Sequence, residues 1–88
     1  MKQQIVKRSE YIAYAKALIA NARAIITDID SDISECLDKK AYAKEIKDKG
    51  LARVMKAEIR ILKKRKKREE RNLKDYQVLL VMVDRKLI

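Results

Sequence analysis

The chain of 88 residues contains no histidine, proline, tryptophan or phenylalanine, and it has one glycine and one cysteine. Without histidine it cannot form a Ser-His-Asp triad or the common zinc sites. Without clustered glycines it cannot form a loop that cradles phosphate. These absences predict a protein that is not an enzyme and that uses no cofactor and no metal.

The scarcity of cysteine and of long apolar runs bears on location. Cys36 has no partner for an internal disulfide, and small secreted domains usually depend on such bonds. The longest nearly apolar stretch, residues 12–26, is interrupted by Lys16 and Arg23, so it is too short and too charged to span a bilayer. The first residues lack the apolar core of a signal peptide. We therefore expect a cytoplasmic protein (in the host cytoplasm if a phage encodes it) that does not bind membranes.

Apolar residues that recur at helical spacing dominate the first half of the chain. An apolar residue occurs every seven positions and is followed by a second one three positions later, as in a helix that packs on another helix. The first set is Ile5, Ile12, Ile19, Ile26 and Ile33, and the second set is Ala15, Ala22, Ile29, Cys36 and Ala43. In heptad notation these are positions a and d. The pattern predicts one helix over about residues 3–47.

The second half repeats this pattern over about residues 51–88. Its a and d positions are Met55, Ile59, Leu62, Lys66, Glu69, Leu73, Tyr76, Leu80, Val83 and Leu87. Gly50 is the one residue suited to a left-handed helix cap, so the chain is expected to reverse at residues 48–50. We predict a single all-α domain, residues 1–88, folded as an antiparallel two-helix hairpin or coiled coil.

Residues 28–31 are the weakest part of the first predicted helix, because Asp and Ser favour caps and turns over helix interiors. A break there would give a three-helix bundle, which is the alternative fold. Against it, Ile26, Ile29 and Ile33 keep the apolar spacing across the segment.

Charge is distributed unevenly between the two halves. The net charge is +10, and residues 49–88 carry fourteen basic and five acidic residues, against nine and eight in residues 1–48. An antiparallel hairpin would place the acidic residues 28–38 beside the basic residues 60–70. Lys66 and Glu69 would form a polar layer in the seam there, and such layers fix register.

The basic excess is concentrated in a stripe along the second predicted helix, expected on the outer face away from the seam. We interpret the stripe as a binding site for nucleic acid or an acidic protein partner. It contains no asparagine or glutamine to read adenine and no aromatic residue to stack on bases, so base-specific recognition is not expected. The stripe consists of Arg53, Lys56, Arg60, Lys63, Lys64, Lys67, Arg68, Arg71 and Lys74.

The end of the hairpin far from the turn is expected to be apolar on more than one side and to bury against a second copy or another partner. Candidate docking residues are Leu79, Leu80, Val83 and Leu87. Self-association there would give a four-helix bundle.

The function predicted from these features is that of a small helical binding protein which presents its basic stripe to nucleic acid or a nucleoprotein complex. Size and composition would suit an accessory or regulatory protein of a phage or mobile element. The alternative is a protein–protein interaction module, such as an inhibitor, adaptor or scaffold, that docks by coiled-coil packing.

Overall fold

A computed structural model describes residues 8–85 as two long helices, α1 (Arg8–Glu45) and α2 (Lys49–Asp84). The helices pack against each other along their length and form a rod of 70 × 24 × 15 Å. The predicted all-α hairpin is therefore confirmed. The outer ends predicted for the helices, near residues 3 and 88, lie outside the described residues.

The core is a single seam between α1 and α2. Every side chain that is buried in residues 8–85 falls on a predicted a or d position. These side chains are Ala15, Ile19, Ala22, Ile29, Ala43, Ile59, Leu62 and Val83. Small residues on α1 let α2 approach closely, and Ile29, which is 2% exposed, is the largest fully buried side chain.

The segment predicted to be weak is helical throughout. α1 passes through residues 28–31 without interruption, so the three-helix alternative is wrong. The Thr27 hydroxyl donates to the Arg23 carbonyl at 3.0 Å, which gives this side chain a partner within the helix. Burial of Ile29 on the seam outweighs the low helix propensity of the polar residues around it.

The chain reverses at residues 46–48, earlier than predicted, and Gly50 does not form the cap. Lys47 adopts a left-handed conformation with φ 59°. The Asp48 amide donates to the Ala43 carbonyl at 2.8 Å and the Lys47 amide to the Lys44 carbonyl at 3.2 Å, as in a Schellman cap. Asp48 then caps α2, because its carboxylate accepts from the Leu51 amide at 3.0 Å.

The seam contains one polar contact at its middle. The Lys66 ammonium lies 2.7 Å from the Asp30 carboxylate across the two helices, which confirms the expected pairing of an acidic residue of α1 with a basic one of α2. The hydrogen bond and the negative charge of Asp30 raise the pKa of Lys66 above its usual 10.5, against a smaller opposing effect of desolvation.

A second polar contact ties the open end together. The Arg8 guanidinium donates from Nε to the Val83 carbonyl and from Nη2 to the Asp84 carbonyl, each at 2.8 Å. These carbonyls belong to the last turn of α2, the end of the helix that attracts cations. Arg8 thereby anchors the first turn of α1 to the end of α2.

We expect Leu62→Ala to lower the free energy of unfolding by about 2–5 kcal/mol, because it removes buried methyl groups and leaves a cavity in the seam. Leu62 is 6% exposed. Leu37→Ala is the matched control, since Leu37 is 50% exposed in mid-helix, and it should change the free energy by about 0.5 kcal/mol or less. Urea denaturation followed by circular dichroism measures both, and similar losses would contradict the assigned seam.

The turn geometry predicts that Lys47→Gly stabilises the hairpin by about 1 kcal/mol, because glycine adopts left-handed φ without steric cost. Gly50→Ala should add about 0.5–1 kcal/mol, since a Cβ there would meet only Asp48 Oδ1, at 3.5 Å. Lys44→Gly, the same exchange inside α1, should instead cost about 1 kcal/mol. Thermal denaturation of the three variants tests the assignment, and destabilisation by Lys47→Gly would refute it.

The Lys66–Asp30 pair predicts a stability change in alkali. Because the folded-state pKa of Lys66 is raised above 10.5, its contribution to stability is complete below pH 10.5 and disappears as pH rises through the folded value. We expect the difference in unfolding free energy between wild type and Asp30→Asn to shrink as pH rises above about 10.5. Asp38→Asn, at an exposed carboxylate, should show a constant difference over this range.

Candidate nucleic-acid or acidic-partner interface

An open groove of about 450 Å³ runs between α1 and α2 in the half of the hairpin nearest the turn. Leu37 and Ile59 supply its apolar surface, and the other side chains that line it are all cationic. They are Lys40, Lys56, Arg60, Lys63, Lys64 and Lys67. We call this feature the cationic groove. With six cations and no carboxylate among its lining residues, it is suited to bind an anionic group.

The structure places the predicted stripe beside the seam and not wholly on the outer face. All nine predicted cations are exposed, and five of them line the cationic groove. The expected orientation is corrected for these five. Four of them lie at heptad positions e and b, which flank the seam and border the other helix, and Lys64 lies at f. The remaining four, Arg53, Arg68, Arg71 and Lys74, lie outside the groove.

The charges of the stripe are not neutralised within the hairpin. In the described part of the chain, ion pairs join Lys39 to Glu35 at 3.2 Å and Lys66 to Asp30 at 2.7 Å, and neither involves a stripe residue. The acidic residues of α1 therefore leave the positive charge of the stripe available to a partner.

Sequence reasoning missed the contribution of α1 to the groove. Lys40 continues the a series one heptad beyond Ile33, and the hairpin brings it opposite Lys56 and Arg60. Leu37 of α1 also lines the groove. Extending the a series by seven residues beyond Ile33 would have identified Lys40.

A second groove of about 450 Å³ lies on the same side of the hairpin, in the half near the open end. Lys16 and Arg23 line it together with apolar residues such as Ile19 and Leu80. Its lining residues come from positions a, b and e of the two helices, as do those of the cationic groove except Lys64, at f. We call this side of the hairpin the cationic flank.

The opposite side, formed by positions c and g, carries exposed apolar side chains. We call it the apolar flank. Its most exposed members within residues 8–85 are Tyr14 (60%), Tyr42 (58%), Val54 (55%), Ile61 (55%) and Ile46 (50%). The two broad sides of the hairpin therefore differ in chemistry.

The predicted docking residues at the open end have different environments. Val83 is 4% exposed and packs inside the seam, so it offers little surface to a partner, and its docking role is corrected. Leu80 and Leu79 are half-buried, and Leu87 lies outside the described residues. Val78 and Val81 supply the exposed apolar surface at this end.

Residues 8–85 show neither a cluster of metal ligands nor a membrane-spanning helix. No group of three or more His, Cys, Asp or Glu side chains in this range is placed to hold a metal ion. Neither described helix is long and apolar enough to cross a membrane.

Comparison of the chain with models of protein families, with curated proteins and with solved structures found no significant match.

Proposed function

We propose that the protein is a non-enzymatic helical binding protein whose cationic flank binds the phosphate backbone of nucleic acid, alone or within a nucleoprotein complex. The observation that carries this proposal is the cationic groove, in which six basic side chains from both helices surround a shared space without a carboxylate. Fixed positive charges that face one channel attract polyanions and release their counterions on binding.

The dimensions of the stripe support this choice of ligand. Arg53 and Lys74 are twenty-one residues apart in α2, which corresponds to about 30 Å along a helix. Phosphates of one DNA strand recur about every 3.4 Å along the duplex axis, so the stripe can follow several of them. The groove has no aromatic residue on which a base could stack and no amide side chain to read one. We therefore propose backbone contact without sequence preference.

A second candidate function is that of a protein–protein interaction module, such as an inhibitor, adaptor or scaffold. The exposed side chains of the apolar flank and of the open end favour it, because apolar side chains grouped on one side of a small protein mark a contact site. In either role, an accessory protein of a phage or mobile element fits the small size of the chain.

Nucleic-acid binding predicts a steep dependence on salt. We expect the affinity for a duplex of about 20 base pairs to fall about a thousandfold or more between about 50 and 200 mM NaCl, as for proteins that contact six or more phosphates. Arg60→Glu/Lys64→Glu should weaken binding strongly and lower the slope of log affinity against log salt by about two. Fluorescence anisotropy with duplexes of unrelated sequence measures both effects.

The control variant changes the net charge equally at exposed positions outside the groove. Lys39→Glu/Arg85→Glu serves this purpose and should keep a larger share of the affinity and the original slope. Equal losses in the two variants would contradict a localised site. Binding that is insensitive to salt, or no binding at low salt, would contradict the nucleic-acid proposal itself.

A further inference from the structure

The apolar flank has no partner within the described hairpin, and its exposed apolar side chains form one group near the open end and one in the half nearest the turn. Six of the nine large apolar side chains that are exposed in residues 8–85 are Tyr11, Tyr14, Tyr42, Ile46, Val54 and Ile61, all at positions c or g. The other three, Leu37, Val78 and Val81, lie at e, f and b. Such a one-sided arrangement indicates a contact surface.

Charged residues interrupt this flank, and four of them lie close together at its middle. Lys66 contacts Asp30 across the seam, and this contact fixes which residues of α1 and α2 lie at the same level. Asp28 and Asp32 lie two residues on either side of Asp30, at positions c and g of α1. Arg65 and Arg68 lie within two residues of Lys66, at positions g and c of α2. The apolar flank thus presents, at one level, two carboxylates on α1 and two guanidiniums on α2.

None of these four groups forms an ion pair in the described part of the hairpin, and all four are exposed. A partner that covers the flank must therefore offer cations to α1 and carboxylates to α2 at this level. It must also offer apolar surface towards both ends.

A second copy of the chain meets these requirements in one orientation. If two hairpins face each other about a two-fold axis parallel to their length, α1 of each copy lies over α2 of the other, at the same level and with both turns at one end. Asp28 and Asp32 then face the arginine pair of the partner, and apolar ends meet apolar ends. If the axis is perpendicular to the length, α1 lies over α1 and like charges meet, which is unfavourable.

We propose that the protein forms a parallel two-fold dimer of hairpins through the apolar flank, in which Asp28 and Asp32 face Arg65 and Arg68 of the partner copy. Two helices side by side form a strip about 20 Å wide. Over the 70 Å length of the hairpin, this strip exceeds the roughly 800 Å² that each partner buries in a standard interface. The dimer would be a four-helix bundle, joined along one flank and not through the open end. The inference does not rest on nucleic-acid binding, since Arg68 is the one residue of the stripe that lies on this flank.

The charge pattern allows a mixing experiment on the full chain without nucleic acid. Wild type should have twice the 10.3 kDa mass of the chain in sedimentation equilibrium. D28R/D32R places like charges across the interface, and so does R65E/R68E, so each variant alone should be monomeric. An equimolar mixture should form a heterodimer, because both of its interfaces become complementary. All four positions are exposed in the hairpin, so circular dichroism should show that the helices persist. A monomeric wild type, or dimers of either variant alone, would overturn the proposal.

Apolar contacts and orientation are tested separately. Ile61→Asp, at 55% exposure, should raise the dissociation constant of the dimer by about tenfold or more, whereas Leu37→Asp, at 50% exposure on the cationic flank, should leave it unchanged. The opposite result, or an effect of Val81→Asp alone, would place the contact elsewhere and refute this dimer.

Spin labels at Lys47→Cys in a Cys36→Ala background should lie within roughly 25 Å of each other, since packed helices are about 10 Å apart. A separation near the 70 Å length of the hairpin would refute the parallel arrangement.

Discussion

The packing of one apolar seam between α1 and α2 is the interaction on which the rest of the structure depends. The side chains buried in residues 8–85 all lie on it, and neither helix has another described element to pack against. Isolated helices are marginal in water, so the seam must offset most of the chain entropy lost on folding. It does so with small residues on α1, which bring larger aliphatic residues of α2 into close contact.

A fold with a single seam leaves two broad sides exposed to solvent, and their chemistry is set by the residues next to the seam. On α2, position e carries Lys56 and Lys63, whereas position c carries Val54 and Ile61. Because flanking positions of an antiparallel pair meet their equivalents on the other helix, the cations of α2 lie beside Leu37 and Lys40 of α1. Each flank is therefore formed by residues of both helices, whereas each helix by itself contributes only one stripe to it.

The sequence was sufficient to predict the seam, because the seven-residue repeat depends on the geometry of each helix alone. Position and spacing identified Ile29 and Leu62 as core residues, and the charge distribution indicated that the acidic residues 28–38 would lie beside the basic residues 60–70, where Lys66 contacts Asp30. Continuity through residues 28–31 could also be argued from Ile26, Ile29 and Ile33. These features follow from local periodicity and from the reversal of the chain.

Other features could not be read from one helix at a time. Gly50 was the obvious cap, yet the chain places Lys47 in the left-handed position. The Asp48 cap and the buried Ala43 fix where the chain turns, which is two residues earlier than predicted. The cationic groove depends on how far each helix is rotated about its axis, so Lys40 was missed and the orientation of Lys56 and Lys63 was corrected. Val83 was assigned to docking because the extent to which α1 would bury it could not be known without the position of α1.

The repulsion within the cationic flank connects the fold to the proposed function. Arg60 and Lys64 are four residues apart on one helix face, as are Lys63 and Lys67, and like-charge pairs at this spacing destabilise a helix by about 0.2–0.5 kcal/mol each. Folding alone gives no reason to concentrate them where the structure supplies no carboxylate. A bound polyanion would remove this repulsion and would bind the hairpin more tightly than the unfolded chain, in which the same charges are dispersed. Binding would thus add to stability by mass action, so the clustered charge that weakens the free hairpin would strengthen the complex.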